Sequence, residues 1–312
     1  MGKYKLINNV LGWVTFAISS IVYLMTMEPT ASFWDCGEFI SSAYKLEVGH
    51  PPGAPFFMLT ANLFTQFASD PSQVAVMVNS MSALFSGLTI LFLFWSITHL
   101  ARRILVNEGE EISNSQLITI MGSGLVGALA YTFSDTFWFS AVEGEVYAYS
   151  SLFTAVVFWL ILKWEAVADK PHADRWMVLI AYLMGLSIGV HLLNLLCIPA
   201  IVLVYYYKKY PNPTLKGTFV ALFISFAIIA VMMYGVVQGL VEVCGWFELL
   251  FVNGMGMPYN SGVFAYVVVL LGVIAWAIYE TMTSNPNKVR MNIAFILSVK
   301  LIGIPFIGSG YV

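Results

Sequence analysis

Near its start the chain carries a short polar segment, residues 28–55, between long apolar runs. Within it lie the ionisable side chains Asp35, Glu38, Lys45, Glu47 and His50. Residues three apart share one face of a helix, so Asp35 and Glu38 can work as a pair, with Asp35 as a general base and Glu38 orienting it or the substrate. The same D-x-x-E spacing forms a capping box when the first residue is the N-cap. Catalysis and capping therefore both stay open for this pair.

Prolines bound this segment and predict a short helix inside it. Proline fixes its own backbone and moves the preceding residue out of the helical region. Pro29 opens the segment and the run HPPG at residues 50–53 closes it, which leaves residues 35–48 for the helix. The closing run either contacts a substrate or only turns the chain, and both interpretations stay open. Its candidate substrate-binding residues are His50, Pro52 and Gly53.

A second pair of carboxylates stands in the segment SAVEGEVYAYS. Glu143 and Glu145 are two apart, so they cannot share a helix face. Ionisable residues at a membrane boundary are either solvated or part of a functional site, and neither interpretation is excluded here. Because Glu145 and Tyr147 stand where the next apolar run begins, we count both, with Glu143, as candidate substrate-binding residues.

Two more polar residues interrupt the deeply apolar run GLSIGVHLLNLL. Polar side chains in such a run often form hydrogen bonds between helices, which is the simpler interpretation for Asn194. For His191, bonding between helices and ligand binding both stay open. We include His191 and Asn194 among the candidate substrate-binding residues.

Composition assigns the chain to the membrane. It is 59% hydrophobic and only 10% charged, with a mean hydropathy of +0.82, and many runs approach the roughly 20 apolar residues that cross a bilayer. A net charge of −3 argues against a nucleic-acid partner. The three cysteines have no C-x-x-C spacing and indicate neither a metal site nor a disulfide framework.

The charge bias gives the chain an orientation. Lys3 and Lys5 precede the first apolar run, which predicts a cytoplasmic N-terminus and makes residues 28–55 the first external loop. Residues 56–68 are too short to span and predict an interfacial or re-entrant segment. We expect an all-α polytopic protein of about nine transmembrane helices. The predicted spans are 7–27, 74–100, 116–133, 147–163, two half-spans within 176–207, 215–237, 263–282 and 291–308, with a third external segment at 242–262.

The two half-spans follow from basic residues at both ends of one apolar run. Trp176–Tyr207 lies between Arg175 and the pair Lys208 and Lys209. Because basic flanks stay on the cytoplasmic side, we predict two short antiparallel halves that meet near residues 189–194. His191 and Asn194 would then lie at the external face.

The two carboxylate motifs together resemble a known family. FWDCGEFISSAYKLEVGHPPGAPFF resembles the first-loop signature of GT-C type membrane glycosyltransferases. It is most similar to bacterial relatives of the transmembrane protein-260-like protein O-mannosyltransferases, whose signature runs D-S-G-E-L and then G-V-x-H-P-P-G-Y-P-L-F. SAVEGEVYAYSSLF resembles the second motif of that family, with Glu145 in the matching place. Cys36 stands where Ser is usual, and Ala54 where Tyr is common.

The resemblance implies a reaction and roles for the residues. It implies a GT-C-like bundle that transfers a sugar from a polyprenyl-phosphate donor to a hydroxyl acceptor, a protein Ser or Thr, on the external face. In such enzymes a first-loop Asp takes the proton of the hydroxyl that attacks the anomeric carbon, a role that falls to Asp35 with Glu38 beside it. The leaving lipid phosphate needs positive or hydrogen-bonding partners. The external cations that the sequence offers are Lys45, His50 and His191.

The same resemblance sets expectations for the whole protein. We expect one GT-C-like transmembrane domain over residues 1–312, in a bacterial inner membrane, with a periplasmic active site. Family members continue into an external soluble domain. We expect that domain to be absent from this chain. The expected partners are the lipid-linked sugar, a protein acceptor and the bilayer, without nucleic acid. No cofactor is expected, and a divalent metal is not indicated.

Two other classes of protein stay open. A transporter could use the same carboxylates as an ion path, but transport predicts charges near mid-span and internal repeat symmetry. Here the carboxylates stand at the ends of the predicted spans, and the sequence shows no clear repeat. A non-catalytic subunit of an envelope or secretion complex also stays open, because the sequence does not test it.

Overall fold

A computed structural model describes residues 2–51, 53–107, 109–173 and 175–283. Across these residues the chain forms helices and no strands, which confirms the predicted all-α class. The α-helices are α1 Gly2–Thr26, α2 Cys36–Lys45, α3 Pro55–Thr65, α4 Val74–Leu105, α5 Asn114–Thr132, α6 Asp135–Ala141, α7 Val146–Glu165, α8 Arg175–Ile188, α9 Ile198–Lys209, α10 Leu215–Ala230, α11 Gly239–Leu249 and α12 Ser261–Thr283. Two 3₁₀ segments, Pro71–Gln73 and Leu192–Cys197, and two π segments, Val231–Gln238 and Leu250–Gly254, join some of them.

Fewer helices are long and apolar enough to cross a membrane than the nine that the sequence predicts. Among the described residues there are five, or six if α5 and α6, which bend by 67° at their junction, form one span. The shorter apolar helices are Pro55–Thr65, Arg175–Ile188 and Ser261–Trp276. The multi-pass character of the chain is thus supported, whereas the count of nine is not. The predicted last span, 291–308, lies outside the described residues.

One predicted external segment, residues 242–262, is largely helical, and its external location remains a prediction. The sequence places residues 242–262 outside because of their polar groups, but α10, α11 and the π segments form one continuous helix, Leu215–Gly254. The loop is reduced to residues 255–260 before α12 begins at Ser261. Glu242 and Glu248 therefore belong to a helix, and the carboxylate of Glu248 accepts backbone hydrogen bonds from Asn260 and Val263 at the start of α12.

The chain clusters into two compact units, which we describe separately. The first comprises Met1–Gly49 and Phe56–Leu162, and the second comprises His50–Pro55 and Lys163–Val312. The first unit contains the first loop and the E-G-E motif, and the second contains the HPPG run and the H-x-x-N residues. Each candidate site residue is therefore placed within its own unit.

Small residues let the helices of the first unit approach closely. α4 packs against α1 and α5, and a Cβ added at Gly124 would lie 2.6 Å from the Thr98 side chain. Gly12 likewise faces the Trp95 ring without room for a Cβ. Such contacts between small residues and large side chains are the usual way in which membrane helices pack. This packing brings α1, α4 and α5 together in the unit that also contains the two loops with the carboxylates.

Candidate functional site

The first loop ends in α2, which begins one residue after Asp35. Asp35 occupies the N-cap position, yet its carboxylate accepts no capping hydrogen bond. Its backbone carbonyl accepts the Phe39 N–H at 2.9 Å, so the helix starts normally without the side chain. The capping-box interpretation is therefore wrong for Asp35, whose exposed carboxylate is not used by the helix.

The two carboxylates of D-x-G-E converge as their spacing predicts. The ligand oxygens of Asp35 and Glu38 lie within 4.8 Å of each other. Glu38 is half-buried and its Oε1 lies 3.2 Å from the place that a Cβ of Gly49 would take. Paired carboxylate oxygens can share a proton or contribute two ligands to a hard cation such as Mg²⁺, which also binds substrate phosphates. The residues thus fit a general base with an acidic neighbour.

The stretch that leads to Asp35 is held from α4. The Nδ2 of Asn79 donates to the Glu28 carbonyl at 2.6 Å and to the Thr30 carbonyl at 3.0 Å. The Glu28 N–H in turn donates to the Val142 carbonyl at 2.9 Å. Since Val142 immediately precedes the E-G-E motif, these bonds tie the first and second loops together.

A buried carboxyl group of the second loop faces the start of α2. Glu143 is only 5% exposed, and Ser32 and Cys36 are its hydrogen-bonding side chains. Burial raises the pKa of Glu143, and these two partners act in the opposite direction. Cys36 is fully buried, and burial, together with the nearby Glu143 and Glu145, raises the pKa of its thiol to about 12. The thiol therefore stays protonated at neutral pH and serves as a hydrogen-bond donor.

Gly144 explains why the second motif has no side chain between its two carboxylates. A Cβ at this position would lie 2.9 Å from Asn79 Oδ1, 3.0 Å from Ile40 Cγ1 and 3.1 Å from Val78 Cγ1. These distances are shorter than normal van der Waals contact, so a larger residue would push α2 and α4 away. The glycine thus lets the second loop pack directly against the helix that starts at Asp35.

Glu145 and Tyr147 stand at the start of α7, where the sequence predicts a return into the membrane. Glu145 is 6% exposed, and its Oε2 accepts the Val146 N–H at 3.0 Å. This bond satisfies one N–H at the helix start, where unpaired N–H groups are expected. Tyr147 is 46% exposed. The structure therefore places Glu143 and Glu145 inward and Tyr147 outward.

Two aromatic side chains precede Asp35 and project outward. Phe33 is 79% exposed and Trp34 is 91% exposed. Trp34 also has a φ of 59°, a left-handed conformation that is unfavourable for a bulky residue. Strained residues in ordered loops concentrate at functional sites. The strain at Trp34 therefore makes residues 33–35 a candidate functional segment of the loop.

Lys45, a candidate phosphate partner, lies at the other end of α2. Its Nζ is 3.9 Å from Glu47 Oε1, and both side chains are largely exposed. Exposed pairs at this distance contribute little to stability. Lys45 is the last of the ten residues of α2, so it lies at the opposite end of that helix from Asp35. Its role in phosphate binding remains a prediction.

In the second unit, the run after Gly49 forms a turn. The Gly53 N–H donates to the His50 carbonyl at 2.9 Å, and Gly53 has a φ of 75°, which glycine adopts without strain. The turn interpretation is therefore confirmed for the backbone, while substrate contact by His50 and Gly53 remains a prediction. Pro52 lies outside the described residues.

The second unit also breaks the long apolar run where the sequence predicts. α8 ends at Ile188, and His191 begins the 3₁₀ segment, its Nδ1 accepting the Leu193 N–H at 3.2 Å. Asn194 is fully buried and its Nδ2 donates to Ser187 Oγ at 2.9 Å. The break is confirmed and Asn194 makes a hydrogen bond to α8, whereas ligand binding by His191 and Asn194 remains a prediction.

Sequence reasoning missed two residues of this site, Asn79 and Gly144. Asn79 is a single amide within an apolar run, a pattern that gives no local signal of function. Gly144 lies between Glu143 and Glu145. A glycine between two candidate site residues can mark a position without room for a side chain, and that signal could have found it.

Comparison with known proteins agrees with the resemblance in the loop motifs. Residues 35–214 match the family model described as the protein O-mannosyl-transferase TMEM260 N-terminal domain. Among curated proteins, the chain is 27% identical over 185 residues to protein O-mannosyl-transferase tmem260 of Dictyostelium discoideum, covering 57% of this chain and 20% of that protein. It is 28% identical over 174 residues to the TMEM260 protein of Mus musculus, covering 55% and 22%. The matched region thus spans about a fifth of these relatives. No solved structure matches.

Proposed function

Because this chain belongs to the family of TMEM260 N-terminal domains, we propose that it is a glycosyltransferase that moves a sugar from a polyprenyl-phosphate donor to a protein Ser or Thr hydroxyl. The observation that carries the proposal is that the Asp35 carboxylate is exposed and is not used to cap α2. Asp35 also stands in the family's first motif. The transfer takes place at the external face of the membrane, where the charge bias puts the first loop.

In the proposed reaction Asp35 is the general base. Its carboxylate takes the proton of the acceptor hydroxyl as the hydroxyl oxygen forms a bond to the anomeric carbon. The bond between that carbon and the phosphate oxygen breaks, and the lipid phosphate leaves with the bonding electrons. Glu38, which has one carboxylate oxygen within 4.8 Å of one of Asp35, holds the base or the acceptor in place. General-base catalysis of this kind contributes about 10²–10⁴-fold to a rate.

The donor sugar is the second part of the proposal. The relatives are named for O-mannosyl transfer, so mannose on a polyprenyl phosphate is the first donor to test. Glu143 and the Cys36 thiol are buried on the inner side of the loop rather than on its exposed face. We therefore assign donor and acceptor contact to the exposed segment at Asp35 and assign the buried carboxyl groups to support.

The test is transfer of a radiolabelled sugar by membranes that carry Asp35→Asn. Asparagine caps a helix about as well as aspartate but cannot act as a base, so transfer should fall by roughly a hundredfold or more with unchanged insertion and melting. The matched control is Asp70→Asn, because Asp70 caps the 3₁₀ segment through Ser72 N at 2.8 Å and is not part of the proposed site. Full transfer by Asp35→Asn would refute the proposed role of this residue.

A panel of donors in the same assay separates this function from its alternatives. Wild-type protein should release label from one polyprenyl-phosphate sugar to a peptide hydroxyl, and the Asp35→Asn variant should not. Ion movement across proteoliposomes that depends on these carboxylates, without sugar transfer from any donor, would instead indicate a transporter. Absence of transfer from every donor, with intact folding, would favour a non-catalytic subunit.

A further inference from the structure

Asn79 is a buried polar residue to which no function has been attached. Its side chain is fully buried on α4, and both of its N–H bonds point at the backbone of the first loop, at Glu28 and Thr30. These carbonyls lie seven and five residues before Asp35, respectively. One amide therefore fixes two points of the stretch that leads to the proposed base.

Asn79 also touches the second loop. Its Oδ1 is buried and has no hydrogen-bond partner among the described residues, and it faces Gly144 at 2.9 Å from the place of a Cβ. A buried acceptor without a partner is costly and calls for a compensating role. The same side chain thus pins the first loop with its donors and packs on the second loop with its acceptor.

We propose that Asn79 is a positioning residue of the sugar-transfer site, which holds Asp35 in place by fixing Glu28 and Thr30 against the E-G-E loop. This inference rests on the proposed function. Misplacing a catalytic group by about 1 Å can cost on the order of a hundredfold in rate. Asn79 acts on Asp35 through the backbone and does not contact the substrate.

The chemistry of the side chain explains why an amide is needed here. Two backbone carbonyls require two donors on one short side chain, and the asparagine NH₂ group supplies both. Aspartate has the same shape but only accepts when ionised, so it would face two carbonyls with like partial charge. Asn79→Asp therefore removes the two hydrogen bonds with little change in volume.

A second asparagine of the same unit provides a matched control. Asn62, on α3, donates from Nδ2 to the Ala43 carbonyl at 2.9 Å and to the Tyr44 carbonyl at 3.2 Å. It thus makes the same pair of bonds to backbone, but at the C-terminal end of α2, away from Asp35. Asn62→Asp should destabilise the unit by a comparable route without moving the start of the helix.

The experiment combines a rate with a measurement of loop motion. A nitroxide spin label is attached at Trp34→Cys, since Trp34 is almost fully exposed and the native cysteines are buried; protein without the added cysteine controls for background labelling. In the Asn79→Asp background we expect a more mobile label and a roughly tenfold to hundredfold lower kcat. In the Asn62→Asp background we expect an unchanged label and a kcat within about twofold, per folded molecule.

Asn79→Ser is the second variant, to be used if Asn79→Asp does not insert into the membrane. Serine keeps one donor, so its label mobility and kcat should lie between those of the wild type and Asn79→Asp. An immobile label with normal kcat in either Asn79 variant overturns the positioning role. Failure of the proposed function has a different signature, because the wild-type protein would then transfer no sugar from any donor while the label still became mobile in the Asn79 variants.

Discussion

The carboxylates of Glu248 and Asp35 both lie at the start of a helix, but only that of Glu248 accepts hydrogen bonds from the backbone there. Glu248 gives both oxygens to the beginning of α12, where Oε1 accepts from Asn260 N at 2.6 Å and Oε2 from Val263 N at 3.0 Å. Asp35 occupies the N-cap of α2 and gives its carboxylate to none of the backbone N–H groups there. The hydrogen bonds of Glu248 to a helix start are explained by stability alone. The carboxylate of Asp35 is exposed and makes no such bonds, so it is available to act on a substrate.

The largest expected effect comes from removing the carboxylate of Asp35 altogether. Alanine is a poor N-cap, so Asp35→Ala would destabilise α2 if the side chain capped it. We expect instead a change of less than about 0.5 kcal/mol in the free energy of unfolding, with a loss of roughly a hundredfold in sugar transfer. Thermal melting in detergent and the transfer assay measure the two quantities. A large drop in melting temperature would restore the capping interpretation.

Gly144→Ala tests whether packing, rather than capping, fixes the start of α2. The added methyl group would crowd Asn79, Ile40 and Val78, and overpacking of this kind costs about 1–3 kcal/mol. Gly122→Ala is the matched control, because a Cβ there meets nothing within 4 Å and alanine favours the helix by about 0.5–1 kcal/mol. Equal melting temperatures for the two variants would show that the second loop does not rest on Asn79.

Glu248→Ala should lower stability and leave sugar transfer unchanged, which is the opposite of the result expected for Asp35→Ala. It removes two hydrogen bonds from the first turn of α12, which should cost about 1–2 kcal/mol of stability. Transfer per folded molecule should stay at the wild-type level, because Glu248 is not in the proposed site. Glu248→Gln keeps one acceptor and should recover part of the loss. The comparison breaks down if Glu248→Ala lowers transfer without lowering the melting temperature.

The pH dependence of stability should reveal the buried carboxyl group. Burial raises the pKa of Glu143 above its ordinary 4.5, so the folded state holds the proton to higher pH than the unfolded state. Stability gained from this group is therefore present at low pH and is lost as pH rises through the raised pKa. Glu143→Gln, which stays neutral, should flatten that decline in melting curves across acidic to neutral pH. An identical pH profile would mean that Glu143 ionises normally.

Trp34→Gly should have the smallest effect and the opposite sign. Glycine adopts a positive φ without the strain that Trp34 carries, and the exposed indole gives up little packing. The gain is reduced by the larger entropy of the unfolded chain, so we expect stabilisation of less than about 1 kcal/mol. A destabilised variant would show that the indole packs on a surface that the described residues do not supply.

The sequence revealed local features of this site well. The D-x-G-E spacing, the prolines and the E-G-E motif predict the loop, the helix and the converging carboxylates, because each depends on neighbours within a few residues. The predicted helix 35–48 ends early, at Lys45, because Leu46 takes a left-handed conformation and Asn62 binds the last carbonyls. That cause lies on another helix, and no local pattern expresses it.

Other features depend on distant parts of the chain and escaped prediction for that reason. The polar groups of residues 242–262 suggested an external segment, since carboxylates within lipid are costly. In the structure the helix continues to Gly254, and the carboxylate of Glu248 accepts hydrogen bonds from backbone N–H groups twelve and fifteen residues away. Asn79 likewise gains its meaning only from carbonyls 51 and 49 residues earlier. Composition and spacing cannot indicate partners at such separations.

The continuous helix Leu215–Gly254 has a consequence for how the chain meets the bilayer. Its 40 residues extend roughly 60 Å at 1.5 Å per residue, about twice the thickness of the hydrocarbon core. Fitting it wholly inside would need a tilt near 60°, well beyond the ~40° limit seen for such helices. Part of this helix must therefore lie outside the hydrocarbon core, in the headgroup region or in water.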